Sequence, residues 1–529
     1  MHKIEVKRTS IVINDYVMGD CLSVENQFRM FDHLTHKVYY KGMIYDEKAK
    51  TLTIPRSIDY TWLERVFDCV AYVNNACDPY EKVPDIYIKH LPRDDVQKEA
   101  FRFTLGINEY KHMVDCPRQM LALDTGKGKT YVAIGTFAYT GIKTIVIAPM
   151  VEWLEQWRRK IMEYTDIKRP EICMIQGSAV VNRLLANGGD KYKIYLASHD
   201  TIKSYGDTYG WDKIGELFKA IKVGYKVYDE AHLSFDNICA IDFNTNTYKT
   251  FYLTATPGRS DERENQIYQR YMKNVPSLSL FDANNDPRTQ YIAFKYRSGI
   301  SAYDQTRCIN KHGFNKMAYC NCIVKYEKFQ CMLHIVMDMI KKVNGKVLVY
   351  IATNAAIEII KGWIEENYPE YIGDIGIYTS VIPKDEKLEA LAKTIILTTT
   401  KSSGAAVDID GLRMTIQLAE PMKSEILSKQ SLGRTRQQHT IYLDIIDMDV
   451  PAIRGYYVKR LPLFDKYATK CTEVVFRDQL LYSKVNELQA LRGEDPPPPP
   501  EDPPIRRVIN PFFHIGEPGY IINPFIHLD

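Results

Sequence analysis

No run of roughly eighteen apolar residues occurs anywhere in the 529-residue chain, so no transmembrane helix is expected. The opening residues, Met1 to Arg8, carry no apolar core of a secretion signal. Charge of one sign is also scarce: 69 Lys and Arg against 66 Asp and Glu leave a net +3. That balance neither demands nor excludes nucleic acid, because basic residues gathered in one groove vanish in a total. The 11 cysteines are scattered and show no pair of C-x₂-C spacings. Cys308, His312, Cys320 and Cys322 are separated by irregular intervals, which argues against zinc and for buried or half-buried cysteines. Reduced thiols in a cytoplasmic setting are the plain expectation. With 45% apolar residues, a chain of this length should divide into three or four compact units.

Three segments carry chemistry. Leu121-Ala-Leu-Asp-Thr-Gly-Lys-Gly-Lys-Thr130 ends an apolar run. Around Thr125, Gly126, Lys127 and Gly128 the backbone can turn its N–H groups inward on a phosphate. Lys129 can reach the β- and γ-phosphates, and Thr130 can offer a hydroxyl to Mg²⁺. About a hundred residues later comes Val227-Tyr-Asp-Glu-Ala-His232, again at the end of an apolar strand. Asp229 is placed to hold the hydration shell of Mg²⁺, and Glu230 to polarise an attacking water. Leu253-Thr-Ala-Thr-Pro257 follows. The implied cofactors are ATP and Mg²⁺, with Thr130 and Asp229 as the metal-facing groups.

This order resembles helicase superfamily 2, the DEAH-containing motors. Leu91-Pro-Arg-Asp-Asp-Val-Gln97 looks like the family's adenine-reading segment, with Gln97 gripping the base edge. Ile145-Val-Ile-Ala-Pro149, followed by Gln156-Trp157, looks like the next motif. Tyr195-Leu-Ala-Ser-His199 resembles a strand end that touches nucleic-acid backbone. Leu397-Thr-Thr-Thr-Lys-Ser-Ser-Gly404, continuing to Asp408, resembles the fifth motif. Gln430-Ser-Leu-Gly-Arg-Thr-Arg436 resembles the sixth, which carries the arginine finger. The pattern is most similar to phage and viral motors of the UvsW type and to the XPB and RecG neighbourhood. Two positions depart from it. Gln437 stands where a second finger is usual, with Arg436 one place early, and Ala406 replaces a common glycine of the fifth motif. The resemblance implies that Arg434, with Arg436 beside it in sequence, neutralises the transition state. It implies that His232, Thr254 and Thr256 couple nucleotide to strand, and that Pro149, Ser198 and Ser402 lie on the nucleic-acid side. Gly404, Asp408 and Gln430 would join the nucleotide site.

The expected fold class is α/β, with two tandem RecA-like doubly wound parallel-sheet lobes. Residues 1–90 read as a small α+β accessory domain, with strands at Ile11–Asn14 and Thr51–Pro55 and a helix from Tyr60 to Tyr72. This domain suits either a duplex contact or a packing cap on the first lobe. Residues 91–275 read as the ATP-binding lobe, where short uninterrupted apolar runs signal strands buried on both faces. Residues 276–325 are polar and read as a connector, and 326–460 as the second lobe with the finger. Residues 461–495 read as a helical segment. Residues 496–529 read as a proline-rich rod and docking tail. That tail repeats Ile509-Asn-Pro-Phe-Phe-His-Ile515 as Ile522-Asn-Pro-Phe-Ile-His-Leu528, a duplicated anchor for a protein partner.

The expected activity is an ATP-dependent helicase or translocase acting on single-stranded or branched DNA. It would work as a monomer off the membrane, in the host cytoplasm if the motor is phage or viral. A motor that strips proteins or transcripts, RNA as substrate, and a non-hydrolysing scaffold are the alternatives. Intact Lys129, Asp229, Glu230 and Arg434 argue against the scaffold.

Overall fold

The computed structural model describes residues 2–476 apart from 33–35, 84–85, 108, 111–115, 124–125, 256, 260–261, 281–288, 311–312, 404–408, 424–427 and 429–439. They form two compact units, divided between positions 281 and 282.

The first unit is built on a seven-stranded sheet. Its strands lie in the order Ile172–Ile175, Ile194–Ser198, Thr144–Ala148, Tyr225–Tyr228, Lys249–Thr254, Arg118–Leu123, Ser277–Leu280, all parallel. Every residue of the four strands at 118–123, 144–148, 194–198 and 249–254 is buried. Helices cover both faces, which is why these runs show no polar alternation. Among the charged side chains buried on these strands is Lys226, 0% exposed on Tyr225–Tyr228. Its ammonium lies 2.6 Å from Asp242, on the helix Phe235–Asn244. Asp242 also accepts the hydroxyls of Tyr228, Tyr252 and Tyr271 at 2.5–2.8 Å. A fully buried carboxylate is tolerable only with its charge paired and its lone pairs filled, and here both conditions are met.

A smaller five-stranded sheet precedes it, in the order Ile44–Asp46, Thr51–Pro55, Ser10–Asn14, Lys3–Val6, Ala71–Val73. The helix expected to reach Tyr72 spans Tyr60–Phe67. Asp68 takes a left-handed conformation, φ 46°, and closes it, which frees Ala71–Val73 to pair with Lys3–Val6. This module shares one apolar core with the larger sheet: Val24, Phe28 and Leu63 belong to the same cluster as Phe235 and Ile267. Polar contacts reinforce it. Thr9 donates to the Asp242 carbonyl at 2.7 Å, and Arg263 and Arg270 donate to the carbonyls of Asn26, Gln27 and Arg29. The module is therefore a packed cap on the first lobe.

The second unit has its own seven-stranded parallel sheet, ordered Ile375–Tyr378, Ile395–Thr398, Lys346–Ile351, Leu412–Ala419, Thr440–Asp447, Thr289–Tyr296, Lys470–Val475. Counted along the chain within each large sheet, both follow the order 3-4-2-5-6-1-7. Two such sheets with flanking helices are tandem RecA-like lobes.

The stretch 276–325, read from its polarity as a connector, contributes a strand to each sheet. Ser277–Leu280 closes the first, and Thr289–Tyr296 sits between two strands of the second. Cys308 and Cys320 are buried in the second core, Cys322 packs half-buried against it, and His312 lies outside the described residues. Among the described residues no group of three or more His, Cys, Asp or Glu is arranged to hold a metal ion. The helix Pro451–Tyr467 continues past residue 460 and leads into the edge strand Lys470–Val475. The proline-rich rod and the docking tail lie outside the described residues.

Candidate nucleotide site on the first lobe

In a parallel sheet the carboxyl ends of the strands share one rim, and ligands bind there. The phosphate-loop segment follows Arg118–Leu123 on that rim, Pro149 follows Thr144–Ala148, Asp229 follows Tyr225–Tyr228, and Ser198 and Thr254 end their own strands. The predicted groups from distant sequence positions thus converge because the strand order brings their ends together.

Gly126 and Gly128 have φ of 81° and 88°, in the left-handed region that glycine enters without penalty. Gly128 caps the helix Lys129–Thr140, whose free N–H groups and positive end form a ready anion site. A Cβ at Gly128 would fall 2.2 Å from Gln97 Nε2, so this glycine also lets the Gln97 amide approach the loop. Gln97 is buried, and its Oε1 accepts the Arg93 backbone N–H at 2.8 Å. Asp94 caps the helix Asp95–Leu105 and sets that geometry. Lys129 is buried, and its ammonium donates to the Leu123 carbonyl at 3.0 Å. Lys127 and Thr130 are half-buried on the same turn, while Thr125 lies outside the described residues.

Asp229 is half-buried. One carboxylate oxygen accepts the Trp157 indole N–H at 2.8 Å and the other the Glu230 backbone N–H at 3.0 Å. Burial pushes its pKa up to about 6 and the Glu230 charge adds to this, while Trp157 and Lys129 oppose the shift. A carboxylate held at such a cost to its charge, near a lysine and a helix N-terminus, suits a divalent cation. Thr130, Asp229 and the phosphate-loop turn therefore fit Mg²⁺ carried by a nucleotide. Glu230 has φ 44°, which costs a side-chain-bearing residue about 1–2 kcal/mol. Its neighbours hold it there: Ala231 N–H bonds to Leu253 O on the adjacent strand at 2.9 Å.

His232 lies with its Nδ1 3.4 Å from Glu230 and 3.0 Å from the Thr254 hydroxyl. Burial, then the charges of Arg259 and Lys129, lower its pKa to about 3, so the ring is neutral at physiological pH. It can carry a hydrogen bond between the acidic motif and the Thr254 strand end without adding charge. Thr256 lies outside the described residues. Ser198 is 1% exposed, and its hydroxyl caps the helix His199–Tyr209. Pro149 is half-buried before the helix Val151–Tyr164.

Two groups escaped the sequence reading. Trp157 was legible only as part of a motif, not as the donor to Asp229. Arg259 donates to the carbonyls of His232 and Leu233 and pairs with Glu264 at 3.0 Å, and Glu264 is in turn held by Lys41 of the amino-terminal module. On the second lobe, the Ser402 hydroxyl accepts the Ser380 N–H at 3.0 Å. Gly404, Asp408, Gln430, Arg434 and Arg436 lie outside the described residues.

Residues 91–259 match the family described as Type III restriction enzyme, res subunit. The chain is similar to the putative DNA 3'-5' helicase Rad25 of Halobacterium salinarum, 29% identical over 171 residues, covering 32% of this chain and 26% of that protein. It is also similar to the DNA 3'-5' helicase XPB of Mycobacterium tuberculosis, 25% identical over 149 residues, covering 28% of this chain and 25% of the relative. The aligned segments thus span about a quarter of these relatives. The crystal structure of T4 UvsW aligns over 89% of this chain and 99% of its own, at 14% identity and a TM-score of 0.35. The segment matched by the family contains Gln97, the phosphate loop, the Asp229–His232 motif and Thr254, and these motifs support the likeness to helicase superfamily 2.

Proposed function

We propose that the protein is a nucleic-acid-stimulated ATPase that translocates on DNA and remodels branched or forked substrates. The observation that carries this reading is the convergence of Lys129, Asp229, Glu230 and the His232–Thr254 hydrogen bond on one rim of the first lobe. The matched relatives are described as DNA helicases, which favours DNA over RNA.

In this proposal the turn at Gly126 and Gly128 and the helix N-terminus at Lys129 receive the phosphates, and Gln97 contacts adenine. Mg²⁺, held through Thr130 and Asp229, would neutralise charge on the phosphate oxygens. Glu230 orients the attacking water, and its left-handed backbone fixes the direction of its carboxylate. Arg434, with Arg436 as a second candidate, supplies positive charge to the transition state, and Gly404, Asp408 and Gln430 join the nucleotide site. His232 stays neutral and relays the state of Glu230 to Thr254 and, beyond it, Thr256. Pro149, Ser198 and Ser402 mark the loops that contact a strand. The Ser198 hydroxyl, buried as the cap of His199–Tyr209, is not free to reach a strand, so the backbone amides of these loops and the Ser402 hydroxyl would read the phosphate backbone, not sequence. A monomer in the cytoplasm, and a protein partner for the carboxyl-terminal repeats, complete the proposal. Among the described residues no helix is long and apolar enough to cross a membrane.

The deciding experiment compares ATP turnover with no nucleic acid, single-stranded DNA, forked DNA and RNA of equal length. Stimulation greatest with forked DNA is expected, and Lys129→Ala should abolish it. Turnover that no nucleic acid raises would overturn the proposal.

A further inference from the structure

Opposite the nucleotide rim, at the amino-terminal end of the strand Arg118–Leu123, a cavity of about 560 Å³ opens between the capping module and the first lobe. Three arginines line it: Arg8 from the turn between Lys3–Val6 and Ser10–Asn14, Arg56 just after Thr51–Pro55, and Arg118. The remaining lining is neutral and includes Asn75, Asn274 and Cys116. No carboxylate lines the cavity among the described residues.

The three guanidinium groups are poorly compensated. Arg8 is 9% exposed, and both of its terminal nitrogens go to backbone carbonyls, of Asn75 and Tyr248, at 2.7 Å. Its Nε is buried with no hydrogen-bond partner. Arg118 is 5% exposed and makes one long bond, 3.4 Å, to the Tyr271 carbonyl. Arg56 is half-buried and stacks 5.2 Å over the Tyr60 ring. Burial lowers its pKa below the usual arginine value and Arg118 pushes the same way, with Tyr60 opposing. None of the three pairs with an acid among the described residues. The buried carboxylate of the neighbouring helix, Asp242, is already taken by Lys226 and three tyrosines. Arginine does not shed its proton in proteins, so the cavity keeps three positive charges. Carbonyls and aromatic rings satisfy these groups only in part, and an anion entering here would supply the missing countercharge.

We propose that this cavity is an anion site for a phosphate group, with Arg8, Arg56 and Arg118 as its donors. A phosphoryl group matches the planar donor fork of arginine. The group arrives either on a nucleic-acid backbone or on a small phosphorylated molecule. The site lies at the opposite end of the sheet from the phosphate loop, so it is separate from ATP turnover. Because it spans the seam between module and lobe, its occupant would fasten the cap.

The test uses the full chain with saturating ADP and Mg²⁺, which fills the phosphate loop. Sodium phosphate is titrated by calorimetry and by thermal shift against sodium chloride of equal ionic strength. Phosphate should bind and raise the melting temperature where chloride does not, and Arg56→Gln should weaken phosphate binding at least tenfold. Basal ATPase should be unchanged in Arg56→Gln, which reports that the variant is folded. A short single-stranded oligonucleotide then separates the two sources. If it displaces phosphate and itself loses affinity in Arg56→Gln, the occupant is backbone. If phosphate still binds under saturating oligonucleotide, the occupant is a small phosphorylated molecule. Phosphate that binds no better than chloride, or binds Arg56→Gln as well as the parent, overturns the proposal.

Discussion

Asp229→Asn should make the protein more stable while destroying its turnover. The carboxyl sits at a pKa of about 6 in the folded state against an ordinary 3.8. A carboxyl with a raised folded pKa weakens the fold wherever the unfolded chain has ionised. Below pH 3.8 both states are protonated and there is no penalty. The penalty grows between the two values and is full above the folded one. A gap of about two units corresponds to about 3 kcal/mol at pH 8 and about half of that at pH 5. The amide removes this penalty but cannot accept both bonds that Asp229 now accepts, from Trp157 and from the Glu230 backbone. Losing one costs about 1 kcal/mol. The net gain should be on the order of 1–2 kcal/mol at pH 8 and should largely vanish at pH 5. Urea unfolding without nucleotide and with EDTA, at both pH values, measures it. A variant that is neutral or weaker at pH 8, or a gain that does not shrink in acid, refutes the reasoning. Excess Mg²⁺-ATP should reverse the ranking, because only the parent retains the carboxylate.

Further outcomes are expected. Trp157→Phe removes a bond that holds the Asp229 pKa down, so the acid limb of the pH–turnover profile should move to higher pH; an unmoved limb would dismiss the contact. Glu230→Gln should bind ATP yet turn over at least about a hundredfold more slowly, measured in single-turnover assays. Lys226→Met strands Asp242 in a fully buried site and should cost about 3–5 kcal/mol in urea unfolding, with much of the loss recovered in the Lys226→Met/Asp242→Leu double variant. Arg436→Ala should slow turnover about as much as Arg434→Ala if it replaces the finger missing at Gln437, and a loss confined to Arg434→Ala would show that one arginine suffices.

The nucleotide-site residues were legible because phosphate loops and acidic strand ends are contiguous in sequence, and each carries its chemistry within a few residues. The buried strands were legible because helices on both faces leave uninterrupted apolar runs. Thr289–Tyr296 was not. Its Gln290 and Lys295 are half-exposed beside an edge strand, and it follows a polar stretch, so composition pointed to a connector. Trp157 and Asp229 are 72 positions apart, and only the adjacency of the Thr144–Ala148 and Tyr225–Tyr228 strands brings them together. The same holds for the arginine cavity, whose charges come from two loops of the capping module and the start of a strand of the lobe. No local pattern announces a cluster of that kind.

The shared strand order bears on how the chain folds as it leaves the ribosome. In each lobe the first strand of the large sheet waits for the last. Arg118–Leu123 lacks one neighbour until Ser277–Leu280 is made, and Thr289–Tyr296 lacks one until Lys470–Val475 is made. Pairings that distant are slow to close and leave a sheet edge exposed in the meantime. The first lobe can complete its sheet while the second is still being translated. The second stays open until nearly the whole described chain has emerged. A stalled or shortened product ending between residues 447 and 469 would therefore carry one finished lobe and one with an unpaired edge, and should be the aggregation-prone species during synthesis.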